Sequence, residues 1–106
     1  MKKLAVAATV ALLSGCLAAW AVEETITQKG KVFSSTAVSV KKGDPLTFVN
    51  DDNVNHNIMS NSAGNEFNLG SQAPGMSTPV TFNKEGMVSV ICAIHPRMKM
   101  TVTVTN

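Results

Sequence analysis

The chain of 106 residues has no tyrosine, one tryptophan, two cysteines and two histidines. Each scarcity closes a class of function. A nucleic-acid surface needs cations interleaved with stacking rings, and no basic run here sits among aromatics, so no nucleic-acid partner is expected. Two cysteines cannot build a disulfide framework, and two histidines leave no spare cluster for a second metal. No segment repeats, no tract is of low complexity, and nothing from Val22 onward has the period of a long helix.

What is present begins with the marks of export. Met1-Lys2-Lys3 is a short cationic start, and Leu4 to Trp20 is apolar except for Thr9, Ser14 and Gly15. Ala19-Trp20-Ala21 has the small-x-small pattern of a signal-peptidase site just before Glu23-Glu24. The apolar run lies at the lower edge of the ~17–25 residues that span a bilayer, which favours a cleaved signal over a retained anchor. Leu13-Ser14-Gly15-Cys16 also resembles a bacterial lipobox, though Leu17 to Ala21 would make a greasy tether for a lipidated Cys16. The expectation is therefore a signal peptide over residues 1–21 and an exported, periplasmic domain over 22–106. The alternative is a lipoprotein signal over 1–15, with Cys16 lipidated and the domain anchored to a bacterial membrane.

Cleavage changes two sums. Lys2 and Lys3 leave with the signal, so nine basic residues become seven against seven acidic ones, and the formal charge of +2 falls to zero. The basic character belongs to the leader, not to the domain. Cys16 is likewise removed or lipidated. Cys92 is then the only thiol in an oxidising compartment, where an unpaired cysteine needs a reason. Metal ligation supplies one; a buried inert thiol is the plainer reading.

The remaining sequence alternates apolar and polar residues with β-branched enrichment, the pattern of half-buried strands. Strands are expected at Thr25–Thr27, Lys31–Phe33, Val38–Val40, Leu46–Asn50, Ile58–Met59, Thr78–Asn83, Met87–Cys92 and Lys99–Thr105. Turn residues such as Lys41-Lys42-Gly43-Asp44-Pro45 punctuate them. Seven to eight short strands in one small domain predict an all-β sandwich. Phe67 to Gly75 reads as irregular, and a single helical turn has room between Ser60 and Ser77.

The chemistry concentrates in Cys92-Ala93-Ile94-His95-Pro96-Arg97-Met98, a tight connection between the last two strands. His56 arrives from a polar loop, Asp51 to Asn55, well upstream. A thiolate, two imidazoles and a weak thioether make up the ligand set of a type 1 copper site, in which the metal cycles between Cu(II) and Cu(I). Taken singly the members say little, since a lone loop histidine is usually solvated and methionines usually fill cores. Their combination on an exported all-β chain is what carries weight.

With these residues in place, the chain resembles a cupredoxin, most closely the amicyanin and plastocyanin-like branch. Cys92-Ala93-Ile94-His95-Pro96-Arg97-Met98 is similar to the amicyanin ligand loop, and Val38 to Asp44 followed by Leu46 to Asn50 resembles the strand pair leading to the first histidine. The resemblance implies a Greek-key sandwich and one copper ion held by His56, Cys92, His95 and Met98. Met100 competes for the axial place, but in this family inward valines fall four and six residues after the axial methionine, where Val102 and Val104 follow Met98. His56-Asn57 matches the family's His-Asn pair, whose asparagine sends its backbone amide toward the thiolate and ties the ligand loops together with its side chain. Ala93 stands where Ser or Thr often partners that asparagine, and Arg97 stands where an apolar residue is common.

The resemblance further implies no enzyme but a monomeric carrier that shuttles single electrons between transient partners, a dehydrogenase or a cytochrome, with the His95 ring edge as its port. A copper storage or delivery protein is the second reading, to which Met59, Met76, Met87 and Met100 lend some weight, since thioethers suit Cu(I). A catalytic copper or zinc centre is the third. Four donors on so tight a site leave no open coordination position for a substrate.

Overall fold

Alternation in the sequence becomes inward and outward faces in space. A computed structural model describes residues 24–106; the expected signal segment, its expected cleavage site and Cys16 lie outside the described residues. Among the described residues nine strands form: β1 (Glu24–Lys29), β2 (Val32–Phe33), β3 (Ala37–Lys41), β4 (Pro45–Asn50), β5 (Ile58–Ser60), β6 (Phe67–Asn68), β7 (Ser77–Thr81), β8 (Gly86–Cys92) and β9 (Lys99–Thr105). In β9, Met100, Val102 and Val104 are buried while Thr101 and Thr103 are only half so. In β8 the buried set is Val88, Val90 and Cys92, and in β4 it is Leu46, Phe48 and Asn50.

The strands assemble into a sandwich of two sheets, in the orders β2-β1-β4-β7 and β3-β9-β8-β5-β6. Both sheets are mixed, because β1 pairs with β4 and β3 with β9 in parallel while the other pairs are antiparallel. The chain passes between sheets repeatedly, as from β2 to β3, β4 to β5 and β6 to β7, which gives the Greek-key sandwich expected from the sequence. The strand count exceeds seven to eight because β6 is added, pairing only Phe67 and Asn68 with β5. Phe67 and Asn68 lie in a stretch broken by Gly70, Pro74 and Gly75, with no β-branched run to mark a strand. No helix occurs among the described residues, and the stretch from Ser60 to Ser77 contains β6 and turns instead.

Four phenylalanines run through the centre, with Phe48 against Phe33 and Phe67, and Phe67 against Phe82, at ring separations of 6.0–6.3 Å. Around them close Ile26, Leu46, Ile58 and the inward residues of β8 and β9. At about 1.5–3 kcal/mol for each large apolar side chain removed from water, this core is the main stabilising term. It also fixes the end of the sandwich where Asn50, Ile58, Cys92 and Lys99 meet. There β4, β5, β8 and β9 open into the loops that carry the site.

The β1–β2 connection is a two-residue turn, Gly30-Lys31, with φ of 65° and 60°. Successive positive φ values are what a tight hairpin needs to follow strand twist. Lys31 is the only non-glycine residue in that region among those described, and its backbone N–H donates 2.8 Å to the Asp52 carboxylate. That bond joins the hairpin to the loop ahead of His56.

Candidate metal centre

Cys92 is the last residue of β8, and the β8–β9 ladder places it where the loop returns. Ile91 pairs with Lys99, and one step further the Cys92 N–H donates to the Met98 carbonyl at 3.0 Å. Inside the loop the Met98 N–H donates to the His95 carbonyl at 2.8 Å. These bonds fold Cys92 to Met98 into a closed hairpin tip. Met98 therefore lies level with Cys92, whereas Met100 pairs with Val90 deeper in the sheet. Both methionines are buried, so burial alone does not separate them; register does.

His56 is held from the opposite side. It makes an isolated antiparallel bridge with Gln72, its N–H donating to the Gln72 carbonyl at 3.0 Å and its carbonyl accepting from the Gln72 N–H at 2.7 Å. The Asp51–Asn55 loop is shaped by Asn50, buried at the end of β4, whose side-chain amide donates to the Val54 and Gln72 carbonyls at 2.9 and 2.8 Å. Asn50 Oδ1 accepts the Asp52 N–H at 2.9 Å. The His56 ring is fully buried, with Nε2 3.1 Å from Asp52 Oδ2 and Nδ1 turned the other way. The Lys31 N–H, more than any other group, holds the Asp52 carboxyl down to about 2 from an ordinary 3.8, with the His56 ring adding to the effect and partial burial opposing it.

Three donor atoms converge between these two supports. Cys92 Sγ is 3.6 Å from His56 Nδ1 and 3.8 Å from His95 Nδ1, and the two imidazole nitrogens are 3.2 Å apart. Among the described residues His56, Cys92 and His95 are the one group of His, Cys, Asp or Glu with metal-holding separations. An ion at the centre of a triangle, with ordinary lengths of about 2.0–2.1 Å to nitrogen and about 2.3 Å to sulfur, sets S–N and N–N separations of about 3.7 and about 3.5 Å. The observed distances fit, and so does the donor chemistry: one soft sulfur and two borderline nitrogens suit copper in both oxidation states.

Asn57 stands behind the sulfur. Its backbone N–H points at Cys92 Sγ from 3.3 Å, as the resemblance implied. The side chain does not cross to the Cys92 loop; it donates to Asn68 Oδ1 at 2.8 Å. The link between the two donor loops is instead the Asn57 carbonyl, which accepts the Ala93 N–H at 2.8 Å. Without a hydroxyl at position 93 the side chain has no partner there, and a backbone bond replaces it.

The sequence reading missed a buried polar frame beneath His56. Gln28, Asn50 and Gln72 are all within about 1% of complete burial. Gln28 Nε2 donates to Gln72 Oε1 at 2.8 Å, and Gln72 Nε2 donates to the Phe48 carbonyl at 2.9 Å. A signal was available, since Gln28 follows Ile26 and Asn50 follows Phe48 in the inward phase of their strands. A polar residue at such a position implies a buried partner. Gln72, in an irregular stretch, offered none.

The two imidazoles differ in access. His56 is enclosed, while His95 is half-buried at the surface among exposed Ile94, Pro96 and Arg97. Their rings meet edge to face with centroids 5.0 Å apart.

Comparisons with known proteins agree with this architecture. The family model described as copper binding proteins, plastocyanin/azurin family, matches residues 20–105. The chain is 30% identical over 101 residues to the methylamine utilization protein MauL of Methylorubrum extorquens, covering 94% of this chain and 89% of that one. In structure it resembles amicyanin from Paracoccus versutus, with a TM-score of 0.67 at 24% identity over 81% of this chain and 82% of that one. It also resembles one part of the copper-containing nitrite reductase of Thermus scotoductus, with a TM-score of 0.73 at 24% identity over 80% of this chain but only 23% of the enzyme. At such identities the two structures speak for the fold alone, and the chain spans about a quarter of that reductase. The family model covers nearly all of the described chain and MauL aligns with nearly all of the sequence, and on these grounds the protein belongs to the plastocyanin/azurin family of copper-binding proteins.

Proposed function

We propose that this protein is an exported one-electron carrier in which His56, Cys92 and His95, with Met98 as a weak axial partner, hold a single copper ion. Bound there, copper supplies a Cu(II)/Cu(I) couple. The observation that carries the reading is the convergence of three donor atoms at 3.2–3.8 Å, one imidazole enclosed and the other at the surface. The chain's own bonds do the rest. The His56–Gln72 bridge, the Asp52 contact, the Asn57 N–H on sulfur and the closed Cys92–Met98 tip fix each donor independently. Donors fixed in this way move little when the charge at the centre changes, and small reorganisation favours fast electron exchange.

His95 is the port through which the electron enters and leaves. Partners are transient redox proteins, a dehydrogenase or a cytochrome-like acceptor, met by a monomer through a small contact. Kinship with a methylamine utilization protein supports a donor that oxidises a small substrate. Export rests on the N-terminal sequence, with residues 1–21 as signal and 22–106 as the domain. The mass of the exported protein reads this directly, because cleavage after Ala21 and lipidation at Cys16 give different N-termini.

The deciding experiment adds Cu(II) to the purified metal-free domain and records the visible spectrum and the voltammogram. A strong thiolate-to-copper band with a fast, reversible one-electron couple is expected. A colourless protein that retains only Cu(I) sinks the carrier reading in favour of copper storage or delivery.

A further inference from the structure

Charge is distributed unevenly along the sandwich. β9 starts at Lys99 beside the donor loop and ends at Thr105, opposite Lys41 of β3. Lys41, Lys42, Asp44, Lys84 and Glu85 therefore lie at the end remote from the site, where Lys42 and Glu85 approach to 4.0 Å. Glu24, level with Leu46, and Glu66, next to the Asn65 side chain that binds the Lys84 carbonyl, belong to the same end. At the site's end stand Lys29, Lys31, Arg97 and Lys99 against Asp51 and Asp52. Among the described residues four cations thus face two carboxylates near the port, while three face four at the far end. One of the two near carboxylates, Asp52, is already committed to the Lys31 N–H and the His56 ring.

Two of those cations frame the port itself. Lys31, Ile94, His95, Pro96 and Arg97 line one shallow hollow on the surface. Ile94 is 50% exposed, and with the exposed Pro96 beside it offers apolar surface next to His95. Neither Lys31 nor Arg97 has an ion-pair partner among the described residues. Lys31 reaches the hollow from a left-handed backbone position secured by the bond from its N–H to Asp52.

We propose that this hollow is the docking site for a redox protein that presents carboxylates around the edge of its own cofactor. Ile94 and Pro96 provide dry contact over the His95 ring, and Lys31 and Arg97 steer the acidic surface onto it. Charges at the rim act mainly on the association rate and its salt dependence. The proposal rests on His95 being the electron port.

The test uses the copper-loaded protein, reduced and then mixed in stopped flow with hexacyanoferrate(III), an anion, or tris(phenanthroline)cobalt(III), a cation. With wild type the hexacyanoferrate rate should fall at least about threefold as salt rises from about 0.02 to about 0.5 M, and the cobalt rate should not fall. The double variant K31E/R97E should lose about tenfold in the hexacyanoferrate rate at low salt and show a flat or inverted salt slope. K41E/K84E makes the same change in net charge at the remote end and should keep the wild-type slope. Polyglutamate, a redox-silent carboxylate polymer, should slow the hexacyanoferrate reaction of wild type and not of K31E/R97E. K31Q/R97Q, with an unchanged visible band, should fall between wild type and K31E/R97E, which guards against misfolding of the charge-reversed protein. Equal slopes for the two charge-reversed variants, or indifference to polyglutamate, overturn the docking site while leaving the carrier intact. Absence of any reversible couple overturns both.

Discussion

Replacing Gln72 with leucine should destabilise the metal-free protein by about 2–4 kcal/mol while leaving the donor triangle in place. Gln72 is 1% exposed, and its side chain accepts from Gln28 Nε2 at 2.8 Å and donates to the Phe48 carbonyl at 2.9 Å. Leucine fills similar space but strips partners from two buried groups, each loss costing about 1–3 kcal/mol, offset in part by leucine's own burial. The damage at Gln28 is compounded, because Gln28 Oε1 is already the buried side-chain polar atom without a partner among the described residues. Its whole amide would then be orphaned. The bridge to His56 uses only the backbone of residue 72, so the copper-loaded variant should keep its visible band. Urea unfolding is the assay: with a slope of about 1–3 kcal/mol per molar, the midpoint should drop by roughly 1–2 M. The double variant Q28L/Q72L removes both amides and should recover at least half of the loss, a coupling of about 1–2 kcal/mol. A loss under about 1 kcal/mol for Q72L, or strict additivity in the double variant, would falsify the view that these amides form one buried frame.

Asp52 predicts a pH window. Its folded value, about 2, lies below the ordinary 3.8, so its stabilising contribution is complete above about pH 4 and disappears as pH falls toward 2. Acid titration of metal-free D52N should accordingly show a flatter stability profile across that window than wild type, and identical profiles would count against the Lys31–Asp52–His56 chain. Copper-loaded D52N should also have a higher reduction potential, because it removes a negative charge on the far side of His56 that in wild type favours Cu(II) over Cu(I); a fall in the voltammetric midpoint contradicts this. M98L should raise the potential and alter the visible spectrum, whereas M100L should cost under about 1.5 kcal/mol of stability and leave both untouched. The reverse pattern would hand the axial place to Met100. K31G relieves the left-handed strain while keeping the N–H that binds Asp52, and should raise Tm by up to about 5 °C; a drop in Tm would mean that the Lys31 side chain contributes more than its backbone conformation costs.

The elements most fully readable from sequence were those with several alternating positions, although short β2 and β5 were also expected. β4, β8 and β9 fall where alternation predicts, with at most one residue of difference at their ends, because six or seven residues are enough to display an inward phase. β6 was not legible, since pairing of Phe67 and Asn68 with β5 is decided by neighbours and not by any local pattern. The donor triad was legible for a different reason: the chain holds only two histidines, and the expected removal of the leader leaves one cysteine. What supports the triad was only half legible. Gln28 and Asn50 announce themselves as polar residues in an inward phase, and Asp52 lies four residues before His56 in a loop that nothing local specifies. Its role depends on Lys31, which reaches it from another hairpin across 21 positions of sequence.

The two imidazoles sit in unlike surroundings, and in the proposed carrier this asymmetry selects His95 over His56 as the electron's route. His56 has its Nε2 against a carboxylate, its backbone in a bridge to Gln72 and no surface to offer a partner. A ring so bound can set the charge at the centre but cannot pass an electron outward over a short path. His95 has the opposite character: its Nδ1 faces Cys92, and the ring reaches the hollow between Lys31 and Arg97. Exposing it required a loop that stays rigid without a packed outer face. The bonds Cys92 N–H to Met98 carbonyl, Met98 N–H to His95 carbonyl and Ala93 N–H to Asn57 carbonyl supply that rigidity from the backbone alone. The outward side chains Ala93, Ile94, Pro96 and Arg97 are thereby freed from any part in holding the centre together. On the proposed carrier reading they can vary with the partner at little cost to the donor geometry, so that partner choice and electron chemistry would share the same seven residues without one being set against the other.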